Sequence, residues 1–207
     1  MSTEKSLHSR LEEEIARKEP GMILFPADFL EMGNPEAIHM SFSRLADQQI
    51  VIRLGKGIYT KPKTDPMLGP ILPSLDDIAQ AIAKKEKVII RPTGAYALNK
   101  LGLSTQVPTK VVFLTNGSRR RIQIGRGTIT FKPTTPKNLA AENEIVFLAI
   151  QSLIELGERG VNDKVKMVLT EKLRQVPQGK IREDARYAPQ FASKILLDIA
   201  NKLAHNG

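Results

Sequence analysis

The densest run of chemistry-capable side chains is Ser118-Arg119-Arg120-Arg121-Ile122-Gln123-Ile124-Gly125-Arg126. Guanidinium groups in series suit a polyanion, because each is permanently charged and carries a planar fork of donors that matches phosphate. On a strand, Arg119 and Arg121 point one way while Arg120 and Ile122 point the other, so both faces cannot be core. Lys84, Lys85, Lys87, Arg91, Lys100, Lys110, Lys132 and Lys137 would join this run in a basic surface if they converge. Two uses stay open for it: a second nucleic-acid contact, or a dock for an acidic protein.

A second set suits base edges rather than bulk phosphate. Asn34, His39, Met40, Ser43 and Arg44 fall on one side of a helical period. Arginine is the side chain best matched to guanine, and Ser or Asn serves either bases or phosphates. His39 has no second ligand three or four residues away, so it reads as a groove or solvent histidine. Arg53, Lys56 and Lys61 surround Gly55 and Gly57, a turn where charge and backbone could both approach a phosphate or a minor groove. The expected DNA-binding residues are therefore Asn34, His39, Ser43, Arg44, Arg53, Lys56, Arg119, Arg120 and Arg121.

Other chemistry is harder to find. The 207 residues include no cysteine, which excludes disulfides, thiolate nucleophiles and thiolate zinc sites. The three histidines, His8, His39 and His205, are scattered. No phosphate loop, nucleophile elbow or zinc-protease helix is present, and Gly125-Arg126-Gly127 is too short for a nucleotide fingerprint. Glu142 and Glu144, two apart on a helix, would not share a face. No catalytic site, cofactor or metal is expected. No apolar run approaches the ~20 residues that span a bilayer, and Met-Ser-Thr-Glu-Lys-Ser leads into a charged segment, so no membrane contact and a cytoplasmic location are expected.

The net charge of +9 is unevenly placed: residues 84–137 hold 12 Lys/Arg against Glu86 alone, whereas residues 1–62 hold 8 against 9 acids. An excess of that size points to a polyanionic partner. Its position leaves residues 1–62 unusually acidic for a DNA reader, with Glu12, Glu13, Glu14 and Glu19 falling on or just after the first helix.

The elements that must position these residues read in order. Leu7, Leu11 and Ile15 define a helix over Ser6–Lys18, broken by Pro20-Gly21. Met22–Phe25 is a brief strand, and Pro26–Met32 a short helix stopped by Gly33. Asn34 as N-cap and Pro35 in the first turn open a helix to Gln48 with Ile38, Phe42 and Leu45 inside. Ile50–Leu54 and Ile58–Thr60 form a hairpin about Gly55-Lys56-Gly57. Helix, strand, helix, tight turn, helix and hairpin make a winged helix-turn-helix over residues 1–62. Pro62, Pro66, Pro70 and Pro73 then predict a stiff linker over 63–74 that forms neither helix nor ladder. Residues 75–207 predict an α+β domain: a helix to Glu86, a strand Val88–Ile90 and a Thr93-capped helix Gly94–Leu101. Strands follow over 110–115, 119–124 and 128–132, then long helices over 139–156, 162–175 and 189–204. Strands and helices cluster separately, so the fold class is α+β, a small sheet backed by C-terminal helices.

The run LFPADFLEMGNPEAIHMSFSRLADQQIVIRLGKGIYTKP resembles the winged-helix domain at the head of AbiE-type (type IV) antitoxins. The later run RPTGAYALNKLGLSTQVPTKVVFLTNG resembles the C-terminal domain of a related bacterial family, described as AbiEi-family antitoxins or as uncharacterised. The resemblance covers about residues 6–157. It implies an antitoxin that represses its own operon through double-stranded DNA and counters a co-encoded, nucleotidyltransferase-like toxin. Under it, Asn34–Gln48 is the reading helix and Arg53–Tyr59 the wing. Such antitoxins are described as opposing the toxin's effect without necessarily binding it, so direct contact stays open. A homodimer on DNA is expected, since one winged helix seldom reaches useful specificity alone. Two alternatives remain: a basic adaptor that grips an acidic protein or RNA, and a winged-helix regulator unrelated to any toxin.

Overall fold

Asn34-Pro35 does what its local chemistry demands. In the computed structural model, which describes residues 5–205, the Asn34 side-chain oxygen accepts a hydrogen bond from the Ala37 amide at 2.8 Å and starts α2 (Pro35–Asp47). The opening residues Met1–Glu4, read above as part of a charged N-terminus, and residues 206–207 lie outside this range. The chain divides into two compact units, Met1–Ile82 with Ile122–Arg126, and Ala83–Arg121 with Gly127–Gly207.

The first unit is a winged helix-turn-helix. Ser6 caps α1 (Leu7–Ala16), which buries Leu11 and Ile15 one turn apart. Strand β1 (Ile23–Leu24) and a 3-10 turn (Pro26–Met32) lead to α2, whose inward residues are Ile38, Ser41, Phe42 and Leu45. Strands β2 (Ile52–Gly55) and β3 (Ile58–Thr60) form the hairpin, and the antiparallel sheet has the order β1-β3-β2. The Phe42 ring lies 5.3 Å from that of Phe29 and 5.0 Å from that of Tyr59, so one aromatic joins the 3-10 turn, α2 and the sheet.

The proline-rich segment departs from expectation. It forms a small ladder, β4 (Thr64–Asp65) with β5 (Gly69–Pro70), in which Thr64 faces Pro70 and Asp65 faces Gly69. Proline forbids a ladder only where its missing N–H is needed, and here the Ile71 amide donates to the Lys63 carbonyl. The Asp65 carboxylate accepts from the Met67 and Leu68 amides, and Gly69, at φ 73°, closes the turn.

Helix α3 (Leu75–Glu86) begins with a reciprocal cap: the Ser74 hydroxyl accepts from the Asp77 amide, and the Asp77 carboxylate accepts from the Ser74 amide. The strand expected at Val88–Ile90 sits later, as β6 (Ile90–Thr93). Lys87, at φ 54°, and the Val88 amide, bonded to the Ala83 carbonyl, are spent leaving α3; Ile89 is exposed and donates its N–H to Asn116. Helix α4 (Gly94–Leu101) ends at Gly102 in the left-handed conformation. Thr93 occupies the cap position, but its hydroxyl donates to Gln151 Oε1 at 2.7 Å instead of capping.

Strands β7 (Lys110–Thr115), β8 (Arg120–Ile124) and β9 (Gly127–Pro133) complete a sheet of order β6-β7-β9-β8. β6 and β7 are antiparallel, β7 and β9 parallel, with Phe113 beside Phe131. The helix expected from Leu139 starts at Glu144, because Asn143 caps it through the Ile145 and Val146 amides; Pro136–Leu139 is a 3-10 turn. Among the described residues, four helices follow that turn where three were expected: α5 (Glu144–Gly160), α6 (Asp163–Leu173), α7 (Gln178–Ala185) and α8 (Gln190–His205). Their core joins Val146, Phe147, Ile150 and Leu153 to Leu169, Leu173, Ile181 and Leu196. Buried Asp184 on α7 accepts the Asn143 amide at 2.8 Å, fixing the start of α5.

Candidate nucleic-acid interface

The α2 face opposite Ile38, Phe42 and Leu45 carries Glu36, His39, Met40, Ser43, Arg44 and Asp47, all exposed. Three- and four-residue spacings put them on one stripe. Arg44 is its one fixed cation, set among two carboxylates, and makes no ion pair among the described residues. Asn34 is exposed at the head of the stripe. Its carbonyl oxygen is committed to the cap, which leaves its amide NH2 for other partners.

In the hairpin, Arg53 and Lys56 are both exposed and free of ion pairs among the described residues. The two glycines beside Lys56 differ in role. Gly57, at φ 69°, has open space where a Cβ would stand. At Gly55 a Cβ would lie 2.8 Å from the Gln123 carbonyl oxygen, and the Leu54 carbonyl accepts from the Gly125 amide at 3.3 Å. That close approach is made within the protein's own first unit and is not left for a ligand.

Lys61 also departs from the reading given above. Its ammonium donates to the Ala16 and Lys18 carbonyls at 2.6 and 2.5 Å, closing the C-terminal end of α1. It is a structural brace. The acids of α1 are balanced locally as well. Glu14 pairs with Lys18 and Arg17, and Glu13 with Lys5; these lysine hydrogen bonds hold both carboxyls below the usual range.

Between the end of α2 and β2 lies a cleft of about 640 Å³, lined by Ser43, Asp47, Gln49, Arg53, Pro62 and Pro70 among others. It brings together Ser43 and Arg53 of the expected set. Gln49 is an addition that periodicity did not single out. Gln49 sits at φ 61°, a left-handed conformation that tightens the exit from α2 and has no glycine to announce it.

In the second unit, Arg119 and Arg121 are exposed and unpaired among the described residues. Arg120 shares strand parity with buried Ile122 and Ile124, and it pairs with Glu86. Arg91 is not a surface cation. It is half-buried, donates to the Leu139 and Ala141 carbonyls, and lies 3.8 Å over the Phe147 ring. Burial lowers its pKa, while Glu144 and Asp184 act in the other direction. Lys100 lies 5.6 Å over the Tyr96 ring. Glu142 precedes α5 and bonds Lys180 at 2.5 Å; the pair lowers the Glu142 carboxyl and raises the Lys180 ammonium.

Among the described residues, no group of three or more His, Cys, Asp or Glu could hold a metal ion, and no helix is long and apolar enough to cross a membrane. Fold and exposed stripe together define a winged helix-turn-helix protein with an α+β second domain. Residues 10–181 match a family of unknown function, DUF6088, and the chain belongs to that family. No curated protein matches the sequence. The crystal structure of the Rv2827c protein from Mycobacterium tuberculosis is similar in fold, with a TM-score of 0.55 over 98% of this chain and 80% of that one, at 13% identity.

Proposed function

We propose that the protein is a regulator that binds double-stranded DNA, reading the operator of its own operon with α2. The carrying observation is the exposed α2 stripe of His39, Ser43 and Arg44 beside a hairpin bearing unpaired Arg53 and Lys56. A helix of 13 residues is about 20 Å long and fits a major groove about 12 Å wide. Arg53 and Lys56 hold the backbone. With Arg53 and Lys56 as the unpaired cations left for phosphate, the wing contributes a salt slope of only about −2 per protomer. Base contacts must then carry more of the affinity than phosphate contacts do. Arg119 and Arg121, unpaired on the second unit, supply further cations for phosphate. The protein works in the cytoplasm, as a pair on DNA.

Following the resemblance to AbiE-type antitoxins, we further propose that the operon encodes a nucleotidyltransferase-like toxin whose effect this chain counters. Growth arrest by the neighbouring reading frame, relieved on co-expression, tests that part; a harmless neighbour removes it and leaves the DNA reading standing.

Selection of bound duplexes from a random pool tests the DNA reading. Wild type should enrich a defined sequence, and Arg44→Ala should blur it by ~1–3 kcal/mol at one position. One observation favours a rival: the charge excess lies in residues 84–137, outside the winged helix. A basic adaptor for an acidic protein or RNA would enrich no duplex sequence at all.

A further inference from the structure

We propose that the second unit binds a single-ring aromatic carboxylate in the cavity between α5 and the α7–α8 connection. This inference does not depend on the DNA reading. The cavity measures about 170 Å³ and is walled by Phe147, Ile150, Ile154, Tyr187 and Pro189. An apolar cavity of ~150 Å³ accepts one benzene ring, so the size selects a single ring and excludes a nucleotide.

The polar groups decide which ring. Gln151 lines the cavity and is only 5% exposed. Its carbonyl oxygen is used by the Thr93 hydroxyl, and its amide NH2 has no acceptor among the described residues. That nitrogen is open to water in the cavity, and an acceptor on a ligand would take the water's place. Lys137 also lines the cavity, is exposed, and makes no ion pair among the described residues. No carboxylate is among the ten lining residues. The complement is an anionic group facing Lys137 and a ring acceptor, such as a hydroxyl or a pyridine nitrogen, facing Gln151.

The wall is held in place before any ligand arrives. Arg91 donates to the Ala141 carbonyl and covers the Phe147 ring at 3.8 Å, and both residues line the cavity. Ordering cost on binding is correspondingly small.

The experiment is calorimetry and thermal shift on the full chain with 4-hydroxybenzoate and nicotinate. Saturable one-to-one binding is expected, with Kd between ~1 mM and ~1 µM for a ligand of about nine or ten heavy atoms. Lys137→Met should weaken it at least about tenfold, the loss of one charge-assisted contact. Ile154→Trp, at a position 44% exposed, should block the cavity and abolish binding while leaving the melting temperature of the free protein within ~2 °C. Absence of saturable binding at 10 mM probe, or binding that survives Ile154→Trp in a folded variant, overturns the proposal. So does a neutral analogue, 4-hydroxybenzyl alcohol, that binds as tightly as 4-hydroxybenzoate.

Discussion

Two lysines five residues apart in the wing region, Lys56 and Lys61, should respond to the same substitution in opposite ways. Lys61 donates to two carbonyls at the end of α1, at 2.6 and 2.5 Å. A hydrogen bond to a charged group is worth ~1.5–3 kcal/mol, but this site is partly exposed and water can replace the lost donor. Lys61→Met should therefore cost about 2 kcal/mol in all. The backbone bonds Lys61 N–H to Met22 and Gly21 N–H to Lys61 survive the change, so the strand stays in place. At ~2–4 °C per kcal/mol for a chain of this size, the melting temperature should fall by about 4–8 °C. Lys56, at the open tip, carries no such bonds. Lys56→Met should leave the melting temperature unchanged and reduce the salt slope of DNA binding by ~0.9. Between 50 and 200 mM salt, that difference is worth ~3–4-fold in affinity. Circular-dichroism melting and anisotropy titrations across that range read both quantities on both variants. If Lys61→Met melts with wild type and lowers the salt slope, the brace carries no energy and the assignment of the two lysines is reversed.

Further outcomes follow from other contacts. Asp184→Ala leaves the partly buried Asn143 amide unpaired and should cost ~1–3 kcal/mol in urea denaturation. Asp184→Asn, which keeps an acceptor, should recover most of that loss. The Asp65 carboxyl is held below its ordinary value of 3.8 by the Leu68 and Met67 amides. Its contribution to the β4–β5 turn is complete above that value and is lost as pH falls through the lower, folded one. The Met67 and Leu68 amide resonances should thus titrate below 3.8, and a midpoint at or above 3.8 would sink the argument. Arg119→Glu with Arg121→Glu should flatten the salt dependence of DNA binding while preserving the preferred sequence; a changed sequence preference would assign these side chains to base contacts.

What was legible in the sequence was local. Asn34-Pro35 declared the start of α2 because cap chemistry acts within three residues, and Ile38, Phe42 and Leu45 declared its inner face, hence also the His39–Ser43–Arg44 stripe. Gly102 declared the end of α4 in the same way. Long-range commitments were invisible. Lys61 looked like a wing cation, yet its ammonium reaches 45 residues back to Ala16. Arg91 looked like surface charge, yet it bonds a carbonyl 50 residues on. Helix α7 has only Ile181, Asp184 and Ala185 buried, too few for a period to register, and its place is set by Asp184 meeting the Asn143 amide. The prolines of residues 62–73 hid a turn because the decisive atom, the Asp65 carboxylate, acts on amides two and three residues ahead.

The chain's lack of cysteine makes the DNA reading directly testable, because any introduced thiol is unique. Glu36 at the head of α2 and Glu12 on α1 are both exposed. Glu36→Cys and Glu12→Cys therefore change the protein's charge identically at two surfaces. Each variant, tethered to an iron–EDTA group, would be bound to the duplex enriched by the wild-type protein and the strand breaks mapped. The account predicts a narrow set of major-groove cuts at the centre of each half-site from position 36, and none above background from position 12. Equal cutting from both positions, or cuts from position 12 alone, would contradict the claim that α2 faces the DNA.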